Sequence, residues 1–147
     1  MNNKVVTQTL DFEIEVTQAL EQVYSQNKIQ LWKIVKQGLE ATLTDNVVLL
    51  DVRTEEEYQD EHLPNSLNID HDKALEDIKK LANKLKGKKV YSICRSGSRS
   101  SLVTEALRHR QIEAYNIKGG MVEWSRLNFP RIRLVVSKLV GQRIKIG

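Results

Sequence analysis

The run Val47-Val48-Leu49-Leu50 is apolar at every position. A strand with one face in water would alternate apolar and polar residues. A run apolar throughout demands cover on both faces, the situation of a parallel sheet sandwiched between helices. The rest of the middle of the chain fits that demand. Glu55 to Asp60 suits a short helix, and Pro64-Asn65 marks a turn. Leu75, Ile78, Lys79, Leu81, Ala82 and Leu85 outline a helix with one apolar face, stopped at Gly87. Val90-Tyr91-Ser92-Ile93 reads as the next strand. Ser100 to Arg110 reads as the next helix, with Leu102, Val103, Ala106 and Leu107 on one side. Ala114-Tyr115-Asn116-Ile117 is a third short strand. Strands alternating with helices in this way predict an α/β fold with a parallel sheet.

The two ends read differently, so the chain divides into an N-terminal extension (1–27), a central domain (28–130) and a basic C-terminal extension (131–147). Near the start, Leu10, Phe12, Ile14 and Val16 alternate with Asp11, Glu13 and Glu15. Phe12, Val16, Ala19, Leu20 and Val23 also form a helical stripe. The expectation is a short strand followed by a helix over residues 17–25. Near the end, Arg131, Arg133, Lys138, Arg143 and Lys145 stand without a single acid. Setting these five aside leaves 18 basic residues against 19 acidic ones, so the formal +4 resides in the tail. A basic tail on a neutral body lacks the basic face expected of a nucleic-acid domain. Ile132, Val135, Val136, Leu139 and Val140 fall at helical spacing, whereas Arg143-Ile144-Lys145-Ile146 alternates like a strand. Opposite charge at a shared period of two predicts that Asp11-Glu13-Glu15 pairs with Arg143-Lys145. Such pairing could form within one chain or between the chains of a homodimer.

Length and cysteine usage limit the chemistry. A chain of 147 residues can bury a core without metal or disulfide staples. Its sole cysteine, Cys94, cannot form an internal disulfide, which suits a reducing, cytoplasmic setting and leaves a free thiol to explain. Met1-Asn2-Asn3-Lys4-Val5 lacks the apolar run of a secretory signal. No stretch approaches the roughly 18 apolar residues of a membrane span. His62, His71 and His109 are scattered, with no zinc-ligand spacing, so no metal or other cofactor is expected. Ser96-Gly97-Ser98 has one glycine and no phosphate-binding lysine.

The chemistry-bearing segment is Cys94-Arg95-Ser96-Gly97-Ser98-Arg99-Ser100. It follows a strand and enters a helix, the place where open α/β sheets bind ligands. Free N–H groups at a helix start favour an anion, including a thiolate on Cys94. Ser96, Gly97 and Ser98 are small enough for the backbone to curl round the sulfur. Arg99 opposes the helix dipole, a penalty of roughly 0.3–1 kcal/mol, and a broken local rule points to function. Arg95 and Arg99 together offer forked donors for an anion. The competing reading of Cys94 is a buried core thiol. Ser98, Ser100 and Ser101 are read as helix caps, and Ser96-Gly97 equally as a plain turn.

This loop resembles the active-site loop of the rhodanese-like sulfurtransferases. Two flanking segments are similar to the same family. One runs Leu50-Asp51-Val52-Arg53-Thr54-Glu55 and on to His62-Leu63-Pro64-Asn65. The other is Lys118-Gly119-Gly120-Met121-Val122-Glu123-Trp124. The resemblance implies a mostly parallel five-stranded sheet with helices on both faces. It also implies a Cys94 persulfide that carries a sulfane sulfur from a small donor, such as thiosulfate, to cyanide or a thiol. Arg95, Ser96, Gly97, Ser98 and Arg99 would then bind the donor and persulfide. Asp51, Arg53 and Ser100 would support the site, unless Asp51 and Arg53 form only a surface ion pair. His62 is read as a structural hydrogen-bonding residue, the Gly119-Gly120 pair as a turn, and Trp124 as packing. Asn65 stands where the family often has glycine, and it tolerates positive φ.

Two other function classes compete. Cysteine phosphatases place five residues between cysteine and arginine, whereas Cys94 and Arg99 enclose four. A non-catalytic module, or a persulfide carrier serving a sulfur-relay protein partner, shares every feature named above.

Overall fold

The computed structural model describes residues 12–136 and 143–146, with side chains as far as Arg133. In chain order the elements begin with β1 (Glu13–Ile14), α1 (Val16–Val23), α2 (Lys28–Lys36), β2 (Val47–Asp51) and α3 (Glu55–Asp60). Next come β3 (Glu61–His62), β4 (Leu67–Asn68), α4 (His71–Glu76), α5 (Ile78–Lys84) and β5 (Lys89–Ile93). The last are α6 (Ser98–Arg108), β6 (Glu113–Ile117), α7 (Gly120–Arg126), β7 (Ile132–Val136) and β8 (Arg143–Ile146).

A five-stranded sheet has the order β1-β6-β5-β2-β4, and every pairing in it is parallel. Alternation along the strands sorts the core into two layers. Leu49, Tyr91, Ile93 and Ile117 face α1, α2 and α7, where they meet Ala19, Leu20, Val23, Leu31, Met121 and Trp124. Leu50, Val90 and Ala114 face the other way, toward Ala74, Leu81, Ala82, Val103 and Leu107 of α4, α5 and α6. Helices thus cover both faces, as the wholly apolar run of β2 requires.

Local chemistry starts the helices cleanly. Asn27 and Gln30 form a capping box on α2, and Thr54 and Glu57 form one on α3. The expected strand and helix near the N-terminus are present as β1 and α1, and β1 joins the sheet beside β6. Asn65 adopts φ 60° in the Pro64-Asn65 turn. Among the described residues, no helix is long and apolar enough to cross a membrane.

Three expectations are corrected. The helix expected from Leu75 to Leu85 is two helices, broken at Asp77. Asp is a weak helix former, and the break lets Ala74 and Leu81 both reach the layer containing Val103 and Leu107. The helical stripe over Ile132, Val135 and Val136 is strand β7, while Leu139 and Val140 lie outside the described residues. Branched side chains favour extended backbone, and β3 offers an edge to pair with: Glu61 opposes Arg133 and His62 opposes Ile132. Among the described residues the acidic and basic alternations do not pair within the chain. Glu13 aligns with Asn116, whereas Arg143 and Lys145 lie opposite Val136 and Leu134 in a separate antiparallel sheet, β3-β7-β8. Asp11 lies outside the described residues.

Candidate active site

At the carboxyl end of β5 the chain turns through Cys94-Arg95-Ser96-Gly97 into α6. Gly97 makes this turn with φ 105°, a conformation that side chains disfavour. The turn folds the loop amides inward. The Gly97 N–H donates to Cys94 Sγ at 3.1 Å, and the Ser100 hydroxyl oxygen lies 3.3 Å from the same sulfur. Cys94 is fully buried. Burial pushes its thiol pKa up. The Ser100 hydroxyl and the backbone N–H groups of Ser100, Gly97 and Ser96 outweigh that effect and bring it below its ordinary value.

The loop carbonyls point the other way, onto α7. Cys94 O accepts from the Met121 N–H at 2.9 Å, and Arg95 O accepts from the Val122 N–H at 3.0 Å. The first amides of α7, which lack partners within the helix, thereby fix the loop. This contact demands glycine. Gly119 and Gly120 have φ 80° and 54°, and a Cβ on Gly120 would overlap the carbonyls of Cys94 and Arg95.

The serines are not caps. The N-cap of α6 is Gly97, and no N-cap side chain bonds the first-turn amides. The sulfur consumes donors that a capping serine would otherwise satisfy. Ser100 instead turns to the sulfur and to Asn116 Oδ1, 2.5 Å from its hydroxyl.

Arg95 and Arg99 sit in different surroundings. Arg99 donates from both terminal nitrogens to Glu57, at 2.9 and 3.1 Å, so its fork is occupied. Arg95 is exposed and has no acidic partner among the described residues. Ser96 and Ser98 are exposed beside it. Glu57 is itself positioned by two devices. It is the capping-box acid of α3, accepting from the Thr54 N–H at 3.1 Å. The helix that carries it is held by Arg53, which donates to the carbonyls of Glu57 and Glu61. Arg53 is in turn gripped by Asp51, with Nη2 to Oδ2 at 2.8 Å and Nε to Oδ1 at 3.0 Å. This pair is buried, so the surface ion-pair reading does not apply. His62 Nδ1 lies 2.7 Å from the Tyr58 carbonyl and its ring stacks on Tyr58, a structural placement.

The Arg99 hydrogen bond holds the Glu57 carboxyl at about 2, against an ordinary 4.5. A carboxyl depressed on folding stabilises the fold above its unfolded pKa, and that contribution is lost as pH falls through the folded one. The stability gap between wild type and Glu57→Gln is therefore expected to be constant above pH 4.5 and to close toward pH 2. Both side chains are partly exposed, which limits the gap to about 1 kcal/mol or less. Urea unfolding at a series of pH values reads it directly.

Two residues of this network are not among the candidates named from the sequence, although each carries a signal there. Glu57 was legible as the acid of the signature Thr54-x-x-Glu57 before a helix. Asn116 was legible as an amide inside an apolar strand, where a buried polar group requires a partner.

A family model described as the rhodanese-like domain matches residues 32–127. A Bacillus subtilis protein named as a sulfurtransferase, YtwF, is 32% identical over 98 residues, covering 66% of this chain and 89% of that protein. The adenylyltransferase and sulfurtransferase UBA4 of Scheffersomyces stipitis is 38% identical over 93 residues, 57% of this chain. The chain spans only 21% of that relative's length. Among solved structures, a rhodanese-related protein from Thermoplasma volcanium superposes with a TM-score of 0.53 at 27% identity, covering 74% of this chain and 96% of that one.

Proposed function

The chain belongs to the rhodanese-like domain family, and from that premise we propose that it is a sulfurtransferase working through a persulfide on Cys94. The observation that carries this reading is the inward ring of donors on one sulfur. The Cys94 thiolate attacks the outer sulfur of a donor such as thiosulfate. The donor S–S bond breaks, its electron pair leaves with sulfite, and a Cys94 persulfide remains. A thiolate or cyanide then attacks the terminal sulfur, and the electron pair returns to Cys94 as thiolate. No net oxidant is needed, and no general base once the thiolate exists. The amides of Ser96, Gly97 and Ser100 suit a persulfide anion. Arg95, with its fork open to solvent, is the residue to meet an anionic donor. Arg99 is engaged with Glu57 and acts through the shape and charge of the loop wall, unless a donor displaces that carboxylate.

The full burial of Cys94 favours a second reading. The loop must part before any donor reaches the sulfur. A module that receives sulfur from a protein partner, as a carrier, would show that feature together with slow turnover of small molecules.

Intact mass after incubation with thiosulfate, beside Cys94→Ser, tests the first reading. A gain of one sulfur atom on the wild type alone, removed by cyanide, is the expected result. No gain with thiosulfate, but a gain from a persulfidated protein, selects the carrier. No gain from either overturns sulfur transfer.

A further inference from the structure

Asn116 spends both protons of its amide nitrogen. One goes to Glu13 Oε2 at 2.8 Å and the other to Gly97 O at 3.1 Å. Its oxygen is therefore fixed toward Ser100, whose hydroxyl has a single proton. That proton has rival acceptors: Asn116 Oδ1 at 2.5 Å, Cys94 Sγ at 3.3 Å and, at the long limit of 3.4 Å, the Gly97 carbonyl, which already accepts from Asn116. While Cys94 is a thiol, its S–H can point to the Ser100 oxygen and Ser100 can donate to Asn116. All three groups are then satisfied. When Cys94 becomes a thiolate it has no proton to give. The best donor beside it is the Ser100 hydroxyl, which must leave Asn116 to serve it.

We propose that Glu13, from the N-terminal strand, is a positioning residue for Cys94: by fixing the Asn116 amide, it makes Asn116 Oδ1 a rival to the sulfur for the Ser100 proton and so weakens the support that proton gives the thiolate. Glu13 lies outside the segment matched by the family model, which begins at residue 32. It reaches the site because β1 pairs with β6 in a register that sets Glu13 beside Asn116. Its carboxylate acts in two ways with one sign. It blocks the amide flip that would turn the nitrogen toward Ser100. It also draws on the amide protons, which makes the amide oxygen a stronger acceptor. Without Glu13 the amide is held by the Gly97 carbonyl alone, its oxygen is a weaker acceptor, and the Ser100 proton passes more readily to the sulfur.

The role deepens the sulfurtransferase reading, but its test does not depend on that reading. Cys94 is the sole cysteine, so ultraviolet absorbance of its thiolate, corrected with Cys94→Ser, gives its titration curve. Among the charged groups on the elements around it are Arg95, Arg99, Glu105 and Arg108 on the loop and α6, Asp51 and Arg53 at the end of β2, Glu57 on α3, His71 and Asp72 at the start of α4, Glu15 and Lys118 after β1 and β6, and Glu123 and Arg126 on α7. All stay unchanged in the variants. Glu13→Gln and Glu13→Ala are expected to lower the titration midpoint by about half to one pH unit. Ser100→Ala is expected to raise it, because it removes the donor itself. The double variant Glu13→Gln with Ser100→Ala separates the two routes: a Glu13 effect carried by the Ser100 proton vanishes in it, whereas the bare loss of a nearby negative charge lowers the midpoint as before and overturns the proposal. A support that merely keeps the site folded would shift all three variants upward. An upward shift, or none, in both Glu13 variants overturns the proposal. If thiosulfate fails to load Cys94 in any variant while the midpoints move as stated, the sulfurtransferase reading falls and the positioning role stands.

Discussion

Gly120→Ala is expected to remove most of the sulfur transfer proposed for Cys94 and to lower the melting temperature by about 5–15 °C, for a stability loss of about 2–4 kcal/mol. The cause is local. A methyl group at Gly120 meets backbone, the carbonyls of Cys94 and Arg95, which cannot swing aside as a side chain can. Relief requires α7 or the loop to shift, and a shift breaks the Met121 and Val122 bonds that fix the loop. The positive φ adds about 1 kcal/mol. A displacement of about an ångström at a reacting sulfur costs on the order of a hundredfold in rate. Gly87→Ala is the control, since Gly87 also has positive φ but faces open space. If the two variants melt alike and load sulfur alike, the overlap does not matter.

Arg53→Met is expected to destabilise the chain by about 3–5 kcal/mol, because it strands the Asp51 carboxylate in the interior. Asp51 is 0% exposed and Arg53 6%. The pair as a whole need not be strongly stabilising, since desolvating both ions offsets their attraction. The double variant Asp51→Leu with Arg53→Met should therefore recover most of the loss in urea unfolding. Activity should not return with it. Arg53 also holds the Glu57 and Glu61 carbonyls, and those contacts are gone in both variants. Arg99 then has a loosely held partner, and transfer should stay about tenfold down or more. Equal recovery of stability and rate would show that Arg53 serves the fold alone.

The legible parts of this protein were those governed by single residues and short periods. The apolar run that opens β2, the helix now seen as α6, and the glycine and serines between strand and helix could be read directly. So could the fold, since alternating strands and helices admit few arrangements. The unread parts depend on distant partners. Arg99 looked like an anion clamp because nothing in its own segment shows Glu57 across the loop, 42 positions away. Ser100 looked like a cap because the sulfur's claim on the loop amides exists only after folding. Ile132 to Val136 looked helical by spacing alone, and the strand edge at Glu61 and His62 decided otherwise, whereas the alternation of Arg143 to Ile146 was a true strand signal.

The register that brings Glu13 to Asn116 has a consequence for how the molecule is made. These residues stand 103 positions apart. β1 leaves the ribosome first yet has no edge to join until β6 has been synthesised. Closing so long a loop is slow compared with forming the neighbouring β5–α6–β6 unit. The cysteine thus passes through an interval in which its loop is built but its first strand is still undocked. On the positioning role proposed for Glu13, the nascent thiol in that interval lacks its restraint.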